Sequence, residues 1–189
     1  MTDYTLSSGN TIRPHRSPWG SFPVRGLKLS TGISSAVIRV GQIVALDTST
    51  AYADCIIPAT TSSATISVTA GLIAGVAADT PGAVDGRPGL GSTNSANTVI
   101  SVWDCNPNCE FKAWTRGGLI TSTLVGSCRP VVRDTTLNID LIALGASALN
   151  TPANFAIVTA IADPYVSGDS GGAVIFRFNT SSGYLAYYH

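Results

Sequence analysis

The chain has 189 residues, enough for one domain, or one small domain with an extension, and a real core. Eleven basic groups balance eleven acidic ones, which argues against electrostatic capture of DNA, RNA or an acidic membrane. Serine and threonine number 42 against 22 charged residues, with one Glu and two Lys, so the usual residues of exposed helix faces are scarce and an all-β chain is expected.

Met1 leads into a polar stretch, Thr2–Asn10, with no apolar core of a secretory signal, so synthesis and residence in a cytoplasm are expected. The longest apolar runs, Leu72–Ala78 and Phe155–Ala162, are far shorter than a membrane span. Residues 1–30 hold Pro14, Pro18 and Pro23 among scattered glycines and show no hydrophobic period. Proline removes a backbone donor, so this stretch reads as an extended N-terminal arm rather than helix or central strand. Residues 1–28 carry Arg13, Arg16, Arg25 and Lys28 against Asp3 alone, and the remaining chain is correspondingly acidic. Arg13, Arg16, Trp19, Phe22 and Arg25 are therefore the candidate partner contacts, an arm that orders against an acidic surface.

Residues 31–189 read as one β-rich domain. Val37–Val40 and Gln42–Leu46 are short strands, Asp47–Thr50 is a turn, and Thr65–Thr69 alternates as a half-buried strand should. Leu72–Ala78 is apolar throughout, as in a strand buried on both faces. Residues 79–97 form a long connection, near which a subdivision of the domain is open. Further strands are expected at Val99–Trp103, Glu110–Thr115, Leu119–Leu124, Pro130–Arg133, Leu137–Leu144, Asn154–Ala162 and Ala173–Phe178. In the Leu137–Leu144 strand, Leu137, Ile139 and Leu141 face one way, and Asn138 and Asp140 the other. This spacing indicates a sandwich or barrel.

Gly168-Asp169-Ser170-Gly171-Gly172 matches the nucleophile segment of trypsin-like serine proteases. Such a serine needs a histidine to activate it, and only His15 and His189 exist. His15 precedes every expected strand outside the arm, and His189 follows the serine, the wrong order for that family. A Gly-rich turn between strands explains the same letters, so the chain is read as no enzyme, with a serine hydrolase as the rival from another class. Cys105 and Cys109 are spaced too widely for a usual zinc pair, and Cys55 and Cys128 lie elsewhere, so buried thiols or a loop disulfide are expected and no metal or cofactor. Trp103, Phe111 and Trp114 are expected in a core or a protein interface, since Lys112 and Arg116 are the only cations near them in sequence.

Two segments carry a family likeness. Val44-Ala45-Leu46-Asp47-Thr48-Ser49-Thr50, followed by Ala70-Gly71-Leu72-Ile73-Ala74-Gly75-Val76-Ala77-Ala78-Asp79-Thr80, resembles the head decoration (cement) proteins of lambda-type tailed bacteriophages. Val99–Leu119 is similar to the strand pairs that follow in such proteins. The resemblance implies a β-tulip or β-barrel-like fold behind an extended arm. It also implies a non-enzymatic, capsid-stabilising role on the outer surface of a virion assembled in a bacterial cytoplasm. Its partners would be the major capsid protein and further copies of the chain, as a trimer in preference to a dimer, with neither nucleic acid nor membrane. A phage tail or baseplate β-domain is the alternative within the virion.

Overall fold

A computed structural model describes residues 6, 9–30, 38–47, 55–59, 72–78, 99–145, 155–162 and 171–179. These residues are all-β apart from one 3-10 turn, and they form two sheets. The expected strand Thr65–Thr69, the turn residues Thr48–Thr50 and the connection 79–97 lie outside the described residues.

The first sheet is a closed barrel in the order β2-β4-β3-β5-β6, built from Val24–Leu29, Ile43–Leu46, Cys55–Pro58, Ile73–Ala77 and Val99–Asp104 (β2 to β6 in chain order). Antiparallel ladders join all neighbours except β2 and β4, whose parallel pairing closes the ring. Its interior is aliphatic: Leu29, Ile38, Val44, Ile56, Ala74, Ala77, Ile100 and Val102. A bulge in β5 is what lets this barrel have a second apolar face. Val44 pairs with Gly75 but Ala45 with Ile73, so one extra residue shifts the alternation. Ala74 and Ala77 then point inward, while Ile73 and Val76 join Ile43 and Ala45 on the outside. Only glycine fits the bulge: Gly75 has φ +152°, and a Cβ there would stand 2.0 Å from the Trp103 carbonyl oxygen.

The second sheet runs β8-β11-β12-β7-β10-β9, with β1 (Arg13–Arg16) also paired to β7 (Glu110–Arg116). Its remaining strands are β8 (Cys128–Arg129), β9 (Val131–Asp134), β10 (Ile139–Ala143), β11 (Ala156–Ile161) and β12 (Ala173–Phe178). The two ends of that order, β8 and β9, are separated by Pro130 alone, so one chain segment pairs with β11 and then with β10. The sheet therefore curls back on itself with its seam at Pro130. A proline suits the seam, where its missing N–H costs no ladder bond, while its carbonyl still accepts from the Ala143 N–H at 3.0 Å. Inside the curl sit Phe111, Phe155, Phe176 and Phe178 in edge and stacked contacts, with centroids 5.5–6.1 Å apart. The outer face of β3 and β5 packs into this same core.

Three expectations are corrected. The arm is not a free extension: β1 lies on β7, and β2 is a wall of the barrel between β4 and β6. Pro18 and Pro23 fall between the strands, and Pro14 is tolerated because β1 pairs, among the described residues, with β7 on one side only. Leu119–Leu124 is not a strand. Ser122–Leu124 is a 3-10 turn, where the Ser127 hydroxyl donates to the Leu124 carbonyl at 2.6 Å and Leu124 is buried. Ile38–Val40 forms a turn into β3 instead of a strand, with the Gln42 N–H on the Arg39 carbonyl and the Arg39 N–H on Gln42 Oε1.

Candidate functional site

The Gly-rich motif leads to a cleft of about 210 Å³ at the far end of β7, lined by Leu6, Thr115, Arg116, Gly117, Gly118, Gly171 and Gly172. Both the backbone N–H and the hydroxyl of Thr115 donate to the Gly172 carbonyl, at 2.8 and 3.1 Å, which pins the chain entering β12. Gly168, Asp169, Ser170 and His189 lie outside the described residues. His15 is exposed on β1 between Pro14, which faces Phe111, and Arg16, which faces Glu110. From Phe111 to Thr115 is roughly 13 Å of strand, whereas proton transfer needs hydrogen-bond reach of about 3 Å. The structure does not bring His15 to Gly172.

The five candidate arm contacts separate into two groups. Phe22 packs edge-on against Phe111, with centroids 5.2 Å apart, and so belongs to the molecule's own core. Arg25 is mostly buried, donating to the Ala74 carbonyl at 2.9 Å and to Asp104 Oδ1 at 3.1 Å. Burial is the main influence on Asp104 and pushes its carboxyl above the usual range, and Arg25 offsets only part of that. Arg13, Arg16 and Trp19 remain at the surface. Trp19 is 58 % exposed, Arg13 donates to the Gly9 carbonyl, and Arg16 reaches Glu110 at 3.1 Å.

The cysteines are free thiols rather than a loop disulfide. Cys105 and Cys109 are core residues, and the Cys105 thiol donates to the Ile73 carbonyl at 3.2 Å. Burial, then the charge of Asp104, pushes the Cys105 thiol up to about 12, and burial also raises Cys109 and Cys128. Among the described residues no group of three His, Cys, Asp or Glu side chains is placed to hold a metal ion.

Sequence reasoning missed the polar junction between the two sheets. Asp140 and Arg133 face each other across β10 and β9, with oxygens 2.7 and 2.8 Å from the guanidinium. Asp140 Oδ2 also accepts the Ile43 N–H at 2.6 Å, so one carboxylate ties the curled sheet to the barrel. Beside it, the Gln42 amide donates to the carbonyl and side-chain oxygens of Asn138, at 2.9 and 2.7 Å. Arg133 and Asp140 are both buried. The signal available in the sequence was their two opposite charges on neighbouring strands, but the alternation of Leu137–Leu144 gave no sign that both faces of β10 are covered.

No protein-family model, no curated protein and no solved structure matches this chain.

Proposed function

We propose that the chain is a capsid decoration protein, a non-enzymatic module that binds the outer surface of a major capsid protein shell and stabilises it. The observation that carries the reading is the pair of decoration-like segments, whose strands Ile43–Leu46 and Ile73–Ala77 lie side by side in the barrel. Three further features support it. The sheets close on themselves, which leaves few edges for uncontrolled pairing in a protein displayed in many copies. Trp19, Val24, Val99, Leu119 and Val125 are large apolar side chains left exposed on a weakly charged surface. The distance of His15 from Gly172 favours a structural role for the Gly-rich turn.

In this reading the protein sits on the shell as a homotrimer, and many weak contacts repeated over the shell add up by multivalency. Co-sedimentation with mature empty shells from the virus that encodes it tests the proposal. Saturable binding and a higher temperature of shell disruption are expected. Absence of binding to those shells overturns it.

A further inference from the structure

The outer face of the curled sheet gathers cations that are far apart in sequence. On β7 this face carries Glu110, Lys112, Trp114 and Arg116, since Phe111, Ala113 and Thr115 point into the core. The register of β1 places Arg13 directly opposite Lys112. The bulge at His15 then puts Arg16, rather than His15, opposite Glu110, so both arginines of β1 share the face. On the other side, Ile175 of β12 lies opposite Lys112, and Arg177 follows on the same face and is exposed. Five of the chain's eleven basic residues therefore stand on one sheet face around a half-buried tryptophan, against two carboxylates, Glu110 and Asp134.

This arrangement is not one that fold stability selects. Opposite charges across a ladder stabilise a sheet, and like charges directly opposite weaken it, as Arg13 and Lys112 must. Arg16 and Arg116 are offset by Glu110 and Asp134, but Arg13, Lys112 and Arg177 make no ion pair among the described residues. The neutral total charge of the chain hides this concentration.

We infer that the β1–β7–β12 face is a docking surface for an acidic protein surface, with Arg13, Lys112 and Arg177 as the cations that meet its carboxylates. The inference rests on the capsid-binding reading, in which the acidic surface belongs to the shell. A carboxylate-bearing protein fits better than a nucleic acid, because Glu110, held by Arg16, stands within the patch: a phosphate backbone carries a charge at every nucleotide and cannot pass over the patch without meeting it, whereas the separate carboxylates of a protein surface can lie around it.

The first arm of the test needs no shell. The intact protein, formally neutral, is expected to bind immobilised poly-L-glutamate at low salt and to be released as salt screens the contacts. K112E/R177E, changed at exposed or half-exposed positions, should fold normally by circular dichroism and bind about tenfold more weakly. K28E, a charge reversal at an exposed position of the barrel strand β2, should bind as the parent does. Equal binding by parent and K112E/R177E overturns the inference. Tighter binding of the parent to duplex DNA than to poly-L-glutamate at the same salt overturns it in favour of a nucleic acid. If the parent and K112E/R177E decorate shells equally while poly-L-glutamate distinguishes them, the face serves some partner other than the shell and the inference fails in the form given. If neither decorates shells, it is the capsid reading that fails.

Discussion

The barrel and the curled sheet are both closed, but they reach closure by different means and are filled with different residues. The barrel closes through a hydrogen-bonded parallel ladder between β2 and β4, and the described side chains of its interior are all aliphatic. The curled sheet closes covalently, through one strand bent at Pro130, and encloses four phenylalanines. A five-stranded ring leaves little internal width, so Ala74 and Ala77 sit beside Ile and Val with no room for a ring. The wider curl needs aromatic volume, and Phe22 and the outer face of β3 and β5 complete the packing. The two units are not independent: the barrel's bulged outer face is part of the sheet's core.

The largest expected effect comes from breaking the junction between them. Asp140→Ala leaves Arg133 buried without its carboxylate and strips the Ile43 N–H of its acceptor. A loss of about 3–5 kcal/mol in denaturant unfolding is expected. Hydrogen exchange should speed up both in β3 and in β9–β10, since one carboxylate serves both. Faster exchange in β9–β10 alone would mean that the units are coupled only by apolar packing.

Gly75→Ala probes the barrel by itself. The new Cβ meets a backbone carbonyl in a conformation unfavourable to any side chain, so the cost should be about 1–3 kcal/mol. Exchange protection should fall first in β5 and β6, with β11 and β12 retaining theirs.

The smallest effect concerns pH at Asp104, the last residue of β6, where the barrel leads into the loop to β7. Its folded-state pKa is raised above the ordinary 3.8, so the folded state holds this proton more tightly than the unfolded chain. The stability that protonation contributes is present below the unfolded pKa and is lost as pH rises through the folded one. Thermal melts across the acid range should therefore show a decline with rising pH that Asp104→Asn lacks. A parallel pair of profiles would mean that Arg25 compensates the buried carboxylate fully.

Much of this architecture was legible because strands announce themselves by alternation. Val99–Asp104 alternates between buried positions and more exposed ones as its sequence does, and Ala173–Phe178, buried at all positions but Arg177, has the expected bounds. Prolines misled the reading of residues 1–30, because a strand paired on one side, or starting just after a proline, gives up no ladder bond. The stretch Leu119–Leu124 misled it in the other direction: the Thr121 and Thr123 hydroxyls bond each other, and Ser127, three residues beyond, donates to the Leu124 carbonyl, so a tight turn replaces an extended strand. The surface sites were the least legible. Arg13, Lys112 and Arg177 are over sixty residues apart from each other along the chain, and only the ladder register brings them to one face. The Asp140–Arg133 pair was hidden for a similar reason, because its burial depends on the barrel, whose outward apolar face depends in turn on the bulge at Gly75.

Electron cryomicroscopy of mature shells incubated with the protein tests the central claim most directly. Density for this double β unit is expected on the outer surface, grouped in threes about local three-fold axes, with the β1–β7–β12 face turned toward the capsid protein. Shells that carry no added density after incubation, or isolated copies attached by the opposite side of the barrel, would contradict it.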